Sequence, residues 1–290
     1  EIRQHRLALR FTQHWCCVIS LAPRVSRSQI ESATPESVLD NGSSMNTGPV
    51  SLGYAYPPPT DGKPFRLIMG LRSLEPAGWL EGGEDLLPQI SERLALARDS
   101  REVVYQELPG YRDAIDDVVA LVISNLKEFH SDRYSFTSST LTHLETSTTV
   151  DLGADDVLLK IASIIGEDLV VLSRENDEWR IVAGAVIFPS RWKLTEKIGK
   201  GMDAVHTPVP GYATALAPFM TATFDKITAD RPVWRKNWSL HSTEDLFQPT
   251  SIHAPAEPKD YWWRTERQTL TRSAVGQFLY FTIRNRAEPL

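Results

Sequence analysis

Cysteine is nearly absent from this chain. Its 290 residues contain two, Cys16 and Cys17, side by side, which excludes a disulfide framework and a CxxC…CxxC metal cage and fits a reducing compartment. A basic excess is missing as well. Lys and Arg number 31 against 37 Asp and Glu, for a net charge of −6, so the composition carries no nucleic-acid footprint. Long apolar runs are also lacking: the stretch Trp15 to Ala22 is eight residues, against the roughly 20 that a membrane-crossing helix needs. No GxGxxG, GxxxxGK[ST], HExxH or GxSxG occurs, which argues against nucleotide-binding and hydrolase classes. Gly199-Lys200-Gly201 is too short to cradle a phosphate and reads as a helix stop. What remains is the composition of a globular protein, 41% hydrophobic and 23% charged, long enough for one large domain.

Two textures precede that domain. Residues 2–30 carry Arg3, Arg6, Arg10, Arg24 and Arg27 with no acid, the composition of a disordered extension or of an organelle transit peptide. From Pro23 to Thr60, half of the 38 residues are Gly, Pro, Ser or Thr, as in a linker. Residues 1–60 are therefore read as an extension and linker. The expected location is cytoplasmic, with mitochondrial the alternative if the Arg-rich start is a transit peptide.

Order begins at the apolar run Phe65 to Leu71. Helical spacing then recurs in Leu86, Leu87, Ile90 and Leu94, in the stripe Ile115, Val118, Val119, Val122, Leu126 and Phe129, and in Val157 to Ile165. Arg133 to Thr149 reads as a Ser/Thr-rich loop carrying His143. Residues 168–173 and 179–188 around a polar turn read as a β-hairpin. Helical signals at Leu194 to Ile198 and Tyr212 to Phe224 follow, then extended segments at 233–241, 261–271 and 277–284. The layout is α+β, with a five-stranded antiparallel sheet and helices packed on one face, leaving a pocket between them.

Chemistry must then come from individual side chains. His206 precedes the proline-fixed segment Thr207-Pro208-Val209-Pro210-Gly211-Tyr212, which would hold an imidazole still, as an axial haem ligand requires; a structural role is the competing reading. His241, at the end of the Trp234, Trp238, Leu240 face, is the second candidate. His130, His143 and His253 read as structural or solvated. In the segment 262–268, strand alternation places Trp262, Arg264, Glu266 and Gln268 on one face and Trp263, Thr265 and Arg267 on the other. That polar face is either solvated, with cross-strand ion pairs, or part of a site.

Several blocks resemble one known family in order along the chain: Phe65 to Leu71, Glu167-Asp168-Leu169, Ala183 to Trp192, Lys197-Ile198-Gly199, Val205 to Tyr212, Arg231 to His241, Arg264 to Leu270 and Phe281 to Arg284. Residues 61–290 are similar to the haem-dependent oxidative N-demethylase α-subunit family. The resemblance implies a PAS-like core over 167–290 preceded by a helical part over 61–166. It further implies haem b as cofactor, O₂ and a small secondary amine such as dimethylamine as substrates, and loss of formaldehyde. NADPH, FMN and a 2Fe-2S cluster would act only through partner reductase subunits. On this reading His206 is the iron ligand, with His241 as alternative, and Tyr212 lies beside the cofactor. Arg191 or Arg267 pairs the propionates, and Arg264, Glu266 and Gln268 form the catalytic strand, with Glu266 holding or deprotonating the alkylammonium. A non-catalytic haem-binding PAS-like sensor or scaffold is the alternative.

Overall fold

The computed structural model describes residues 69–209, 211–250, 261–273 and 276–289. The extension and linker expected over 1–60 lie outside the described residues, as does the start of the apolar run at Phe65.

The described chain opens with strand β1 (Arg72–Ser73), helices α1 (Leu86–Asp99) and α2 (Arg101–Val104), strand β2 (Tyr105–Glu107) and helix α3 (Arg112–Phe129). Helix α3 forms where the apolar stripe is longest, and Ile115, Val118, Val119, Val122 and Leu126 are all buried along it. The stripe stops there, since Phe129 is 36% exposed.

The Ser/Thr-rich stretch is not a loop. Strands β3 (Tyr134–Phe136), β4 (Thr140–His143) and β5 (Thr148–Asp151) build a separate antiparallel sheet from it. The reason is the β-branched content and its alternation: Leu141 and His143 turn inward, and on the other side Thr142 and Thr149 hydroxyls meet across the strands at 2.9 Å. His143, expected in a polar loop, is therefore buried. It packs edge-on against Tyr134, and its Nδ1 meets the Thr146 hydroxyl at 2.9 Å.

Helix α4 (Val157–Ala162) leads into the expected hairpin, β6 (Glu167–Glu175) and β7 (Glu178–Ala185). It turns through Asn176 and Asp177, both at positive φ, the conformation a two-residue hairpin turn demands and these residue types tolerate. Short helices α5 (Met202–His206), α6 (Tyr212–Ala215) and α7 (Ala217–Asp225) precede β8 (Val233–His241), β9 (Trp262–Thr271) and β10 (Phe278–Pro289).

The five expected strands lie together in the order β8-β9-β10-β6-β7, antiparallel throughout. The sheet is nevertheless seven-stranded, because β1 adds to the edge of β8 and β2 to the edge of β7. Both are three residues or fewer, too short to leave a periodic signal. Helices also cover both faces rather than one. Along β6, Leu169 and Val171 join the apolar cluster containing α3 and α4 residues such as Val122 and Leu158. Val170 and Leu172 join a second cluster with Met202, Tyr212, Met220 and Phe224 from α5 to α7. Burial on both sides explains why Leu169-Val170-Val171-Leu172 is an unbroken apolar run. Where β6 pairs with β7 the register slips at Val171/Leu172, leaving Val182 as an extra residue in β7, a bulge of the kind that bends a strand.

The N-terminal end of β6 is pinned by charge. Asp168 accepts Arg93 Nη2 at 2.7 Å, and neither side chain has any solvent exposure. The same carboxylate takes the Ile187 and Phe188 N–H groups at 2.9 and 3.2 Å and Asn285 Nδ2 at 3.3 Å. A buried carboxylate persists only when its oxygens are satisfied in this way.

Candidate functional site

A cleft of about 540 Å³, counted to its open mouth, separates α5, α6 and α7 from the sheet. Its walls are mostly apolar, and three of the four methionines of the chain, Met69, Met202 and Met220, lie on them. Among the described residues, three polar side chains also line it: His206, Arg235 and Gln268.

His206 is the last residue of α5, and the turn that follows immobilises it. Val209 N–H bonds back to His206 C=O at 2.8 Å and Tyr212 N–H to Val209 C=O at 3.1 Å. Gly211 takes the left-handed φ of 78° that lets α6 begin. The Tyr212 ring stacks on the imidazole with centroids 4.8 Å apart and planes 12° from parallel, and its hydroxyl is tied to Asp203 Oδ1 at 2.6 Å. Nδ1 of His206 lies 2.7 Å from Met202 C=O. A carbonyl only accepts, so Nδ1 carries the proton and Nε2 the lone pair. Burial pulls the His206 pKa down to about 4, with the Met202 bond opposing it and the nearby Arg235 and Lys197 charges adding to it. At neutral pH the ring is a neutral imidazole, the form a metal binds.

The opposite wall belongs to β8 and β9. Their register sets Arg235 against Gln268; Arg235 Nε donates to Gln268 Oε1 at 2.9 Å and Nη1 reaches Met69 C=O at 3.4 Å. The other end of the Gln268 amide, Nε2, donates to Glu266 Oε2 at 2.8 Å. Glu266 thus lies on the cleft side of the sheet, one step behind Gln268. The solvated-face reading of this strand is excluded, since Arg264 to Gln268 are each at most 7% exposed.

The remaining expected site residues do not line the cleft. Arg264 donates to Leu246 C=O, Phe188 C=O and Asn285 Oδ1 at 2.8, 2.8 and 2.9 Å, and burial lowers its pKa to about 10. It is a buried clamp between β9 and the chain after β7. Arg267 points to the other face, where it pairs with Glu81 at 2.9 Å and bonds the Gly78 and Trp79 carbonyls. Arg191 donates to Leu240 C=O at 2.8 Å. His241 has both ring nitrogens engaged, Nε2 with Ser239 Oγ and Nδ1 with Gln248 Oε1, each at 2.8 Å. Burial first, then the Arg264 and Arg191 charges, hold its pKa down at about 2. His206, Tyr212 and Gln268 are thus brought to the cleft or its wall, Glu266 stands behind, and Arg264, Arg267, Arg191 and His241 are built into the frame. Arg235 is the polar lining residue that sequence reasoning missed. Alternation puts it on one face of its strand with Val233 and Asn237, but only the β8–β9 register reveals Gln268 beside it.

These features define an α+β domain with an apolar cleft and, among the described residues, one buried, neutral imidazole on its wall. The chain belongs to the family described as haem-dependent oxidative N-demethylase, alpha subunit-like, whose model matches residues 70–290. The general kind is therefore a haem-dependent oxidoreductase family. No curated protein matches the chain. Among the described residues no helix is long and apolar enough to cross a membrane.

The residues present fit a haem. The cleft offers apolar walls, and within it His206 presents a neutral ring with the proton fixed on Nδ1, the arrangement in which an outer bond to a carbonyl orients a metal-binding imidazole. Among the described residues no group of three His, Cys, Asp or Glu side chains is placed so that it could hold a metal ion; a haem iron needs only one protein nitrogen of the kind His206 offers.

Proposed function

We propose that the chain is the haem-carrying subunit of a monooxygenase that oxidatively N-demethylates a small secondary amine and releases formaldehyde. Its electrons would come from NADPH through a separate flavin and iron–sulfur reductase. His206 holds the iron through Nε2, and bound there the haem supplies O₂ activation and oxidation of the N-methyl group. This chain's own side chains do the rest. The apolar wall excludes water, Tyr212 and Met202 hold the His206 ring in one orientation and one tautomer, and Gln268 offers a fixed polar contact. Glu266 keeps the Gln268 amide turned, which makes Glu266 a positioning residue in this reading rather than the base that touches the amine. The five long strands in one antiparallel sheet are what supports the PAS-like description.

The observation that carries the reading is the immobilised neutral imidazole on an apolar cleft in a member of this family. Full-length chain expressed with haem supply should show a Soret band that shifts on dithionite reduction and again with dimethylamine. His206→Ala should yield haem-poor protein or a displaced band. A wild-type protein that takes up no haem overturns the reading.

A further inference from the structure

A carboxylate outside the cleft reaches the His206 ring through one intermediary, an inference that rests on the reading of His206 as the iron ligand. Asp203 stands in the first turn of α5, whose last residue is His206, and at that spacing both side chains leave the helix on one face. Tyr212, at the start of α6, meets both of them. Its ring lies against the imidazole, with 4.8 Å between centroids and 12° between planes, and its hydroxyl donates to Asp203 Oδ1 at 2.6 Å. An O–H···O bond of that length is of the charge-assisted kind. Tyr212 is buried and Asp203 is exposed, so a buried phenol stacked on the ligand ring ends on a surface charge. The chain between them is the turn that carries His206, closed by Val209 N–H on His206 C=O and by Tyr212 N–H on Val209 C=O. Outer partners that fix a ligand ring and place negative charge behind it tune the metal which that ring holds.

We propose that Asp203, acting through Tyr212, is a positioning residue that fixes the plane of the His206 imidazole and favours a ferric over a ferrous iron bound to it.

The test compares full-length haem-loaded wild type with Asp203→Asn, Asp203→Glu and Tyr212→Phe by spectroelectrochemical titration. Asp203→Asn still offers the hydroxyl an oxygen but no charge, so haem content and Soret position should match wild type while the midpoint potential rises. The expected change is about a threefold loss of ferric over ferrous stability, about 30 mV on a scale of about 59 mV per tenfold for one electron. Asp203→Glu should keep the wild-type potential. Tyr212→Phe retains the ring and loses the bond, and its potential should rise as that of Asp203→Asn does. An unmoved potential in Asp203→Asn overturns the proposal, and so does a rise there that Tyr212→Phe lacks, because the charge would then act without the phenol. If Tyr212→Phe fails to fold, the contrast of Asn with Glu at the exposed position 203 decides the matter. Haem-free protein gives a second reading that needs no iron. Amide exchange at Val209 and Tyr212 should be about tenfold faster in Asp203→Ala than in wild type and near wild type in Asp203→Asn, and equal rates in all three overturn the clasp. Wild type that takes up no haem overturns the N-demethylase reading, and the exchange rates alone then uphold or overturn the clasp.

Discussion

The buried imidazole of His206 makes a definite contribution to stability against acid. In the folded chain its pKa falls from the ordinary 6.5 to about 4, chiefly because burial disfavours the charged ring. A depressed histidine binds more protons unfolded than folded between those values, so stability is full above about pH 6.5 and is lost as pH falls toward about 4. Integrating the linkage relation from about pH 7.5 down to about pH 5 gives a loss of about 2 kcal/mol from this one residue. The assay is urea unfolding of haem-free full-length protein at the two pH values, for wild type and for His206→Leu. The leucine variant changes the packing and hence the absolute stability at both pH values, but it cannot titrate. Its fall on acidification should be smaller than that of wild type by about 2 kcal/mol. Parallel falls in the two proteins would refute the reasoning, because they would mean that the imidazole is hydrated in the folded state. The same neutrality is what iron ligation requires, so acid should also release haem over this range.

Three other outcomes follow from the frame around the cleft. Arg93→Met leaves the Asp168 carboxylate buried without its cation and should cost about 3–5 kcal/mol by urea unfolding; a loss below about 1 kcal/mol would show that the backbone and Asn285 donors suffice. His241→Phe should leave haem content and Soret position as in wild type while lowering stability by about 1–3 kcal/mol, since Gln248 and Ser239 lose their partner; a displaced Soret band would transfer the ligand role to His241. Glu167 is raised by burial from 4.5 to about 6 despite the nearby Arg284 charge, so its folded form holds the proton longer and its contribution declines as pH rises between those values, opposite in sign to His206. Comparing wild type with Glu167→Gln from about pH 4.5 to 6.5 should reveal a relative decline of about 1.5 kcal/mol in wild type, and no difference in slope would contradict it.

Much of this architecture was legible in the residues. The stripe from Ile115 to Leu126, the hairpin around Asn176-Asp177 and the three late strands carry periodicities of 3.6 or 2, and each appears where its period places it. The unbroken run Leu169 to Leu172 fits burial on two sides, as the two apolar clusters show, a feature that the expectation of one covered face left out. Strands β3 to β5 were missed because threonine serves turns and strands alike, and only the pairing of Thr142 with Thr149 decides between them. The edge strands β1 and β2 leave no pattern at all. For the site, the rigid turn after His206 was readable from its prolines and glycine. The roles of Arg191, Arg264 and Arg267 were not, because a guanidinium in a sequence reads the same whether it faces a cleft or a row of backbone carbonyls.

The two helical layers carry unequal burdens. On one face of the sheet, α1 and α3 are 14 and 18 residues long, and the Arg93–Asp168 pair fastens the first of them to β6. On the other face α5, α6 and α7 have five, four and nine residues, below the length at which a helix stands alone in water. Their positions therefore come from tertiary bonds: Lys197 Nζ to Val205 C=O at 2.8 Å, the Tyr212 hydroxyl to Asp203, and Trp179 Nε1 to Asp225 Oδ1 at 2.9 Å. Each of these bonds ends on an element that bounds the cleft. The wall that bears His206 is thus built of short helices with little stability of their own, and it is the wall a ligand in the cleft would touch. A ligand bridging α5 and β9 would add the contacts that short helices lack, so binding and the ordering of this layer should be thermodynamically linked.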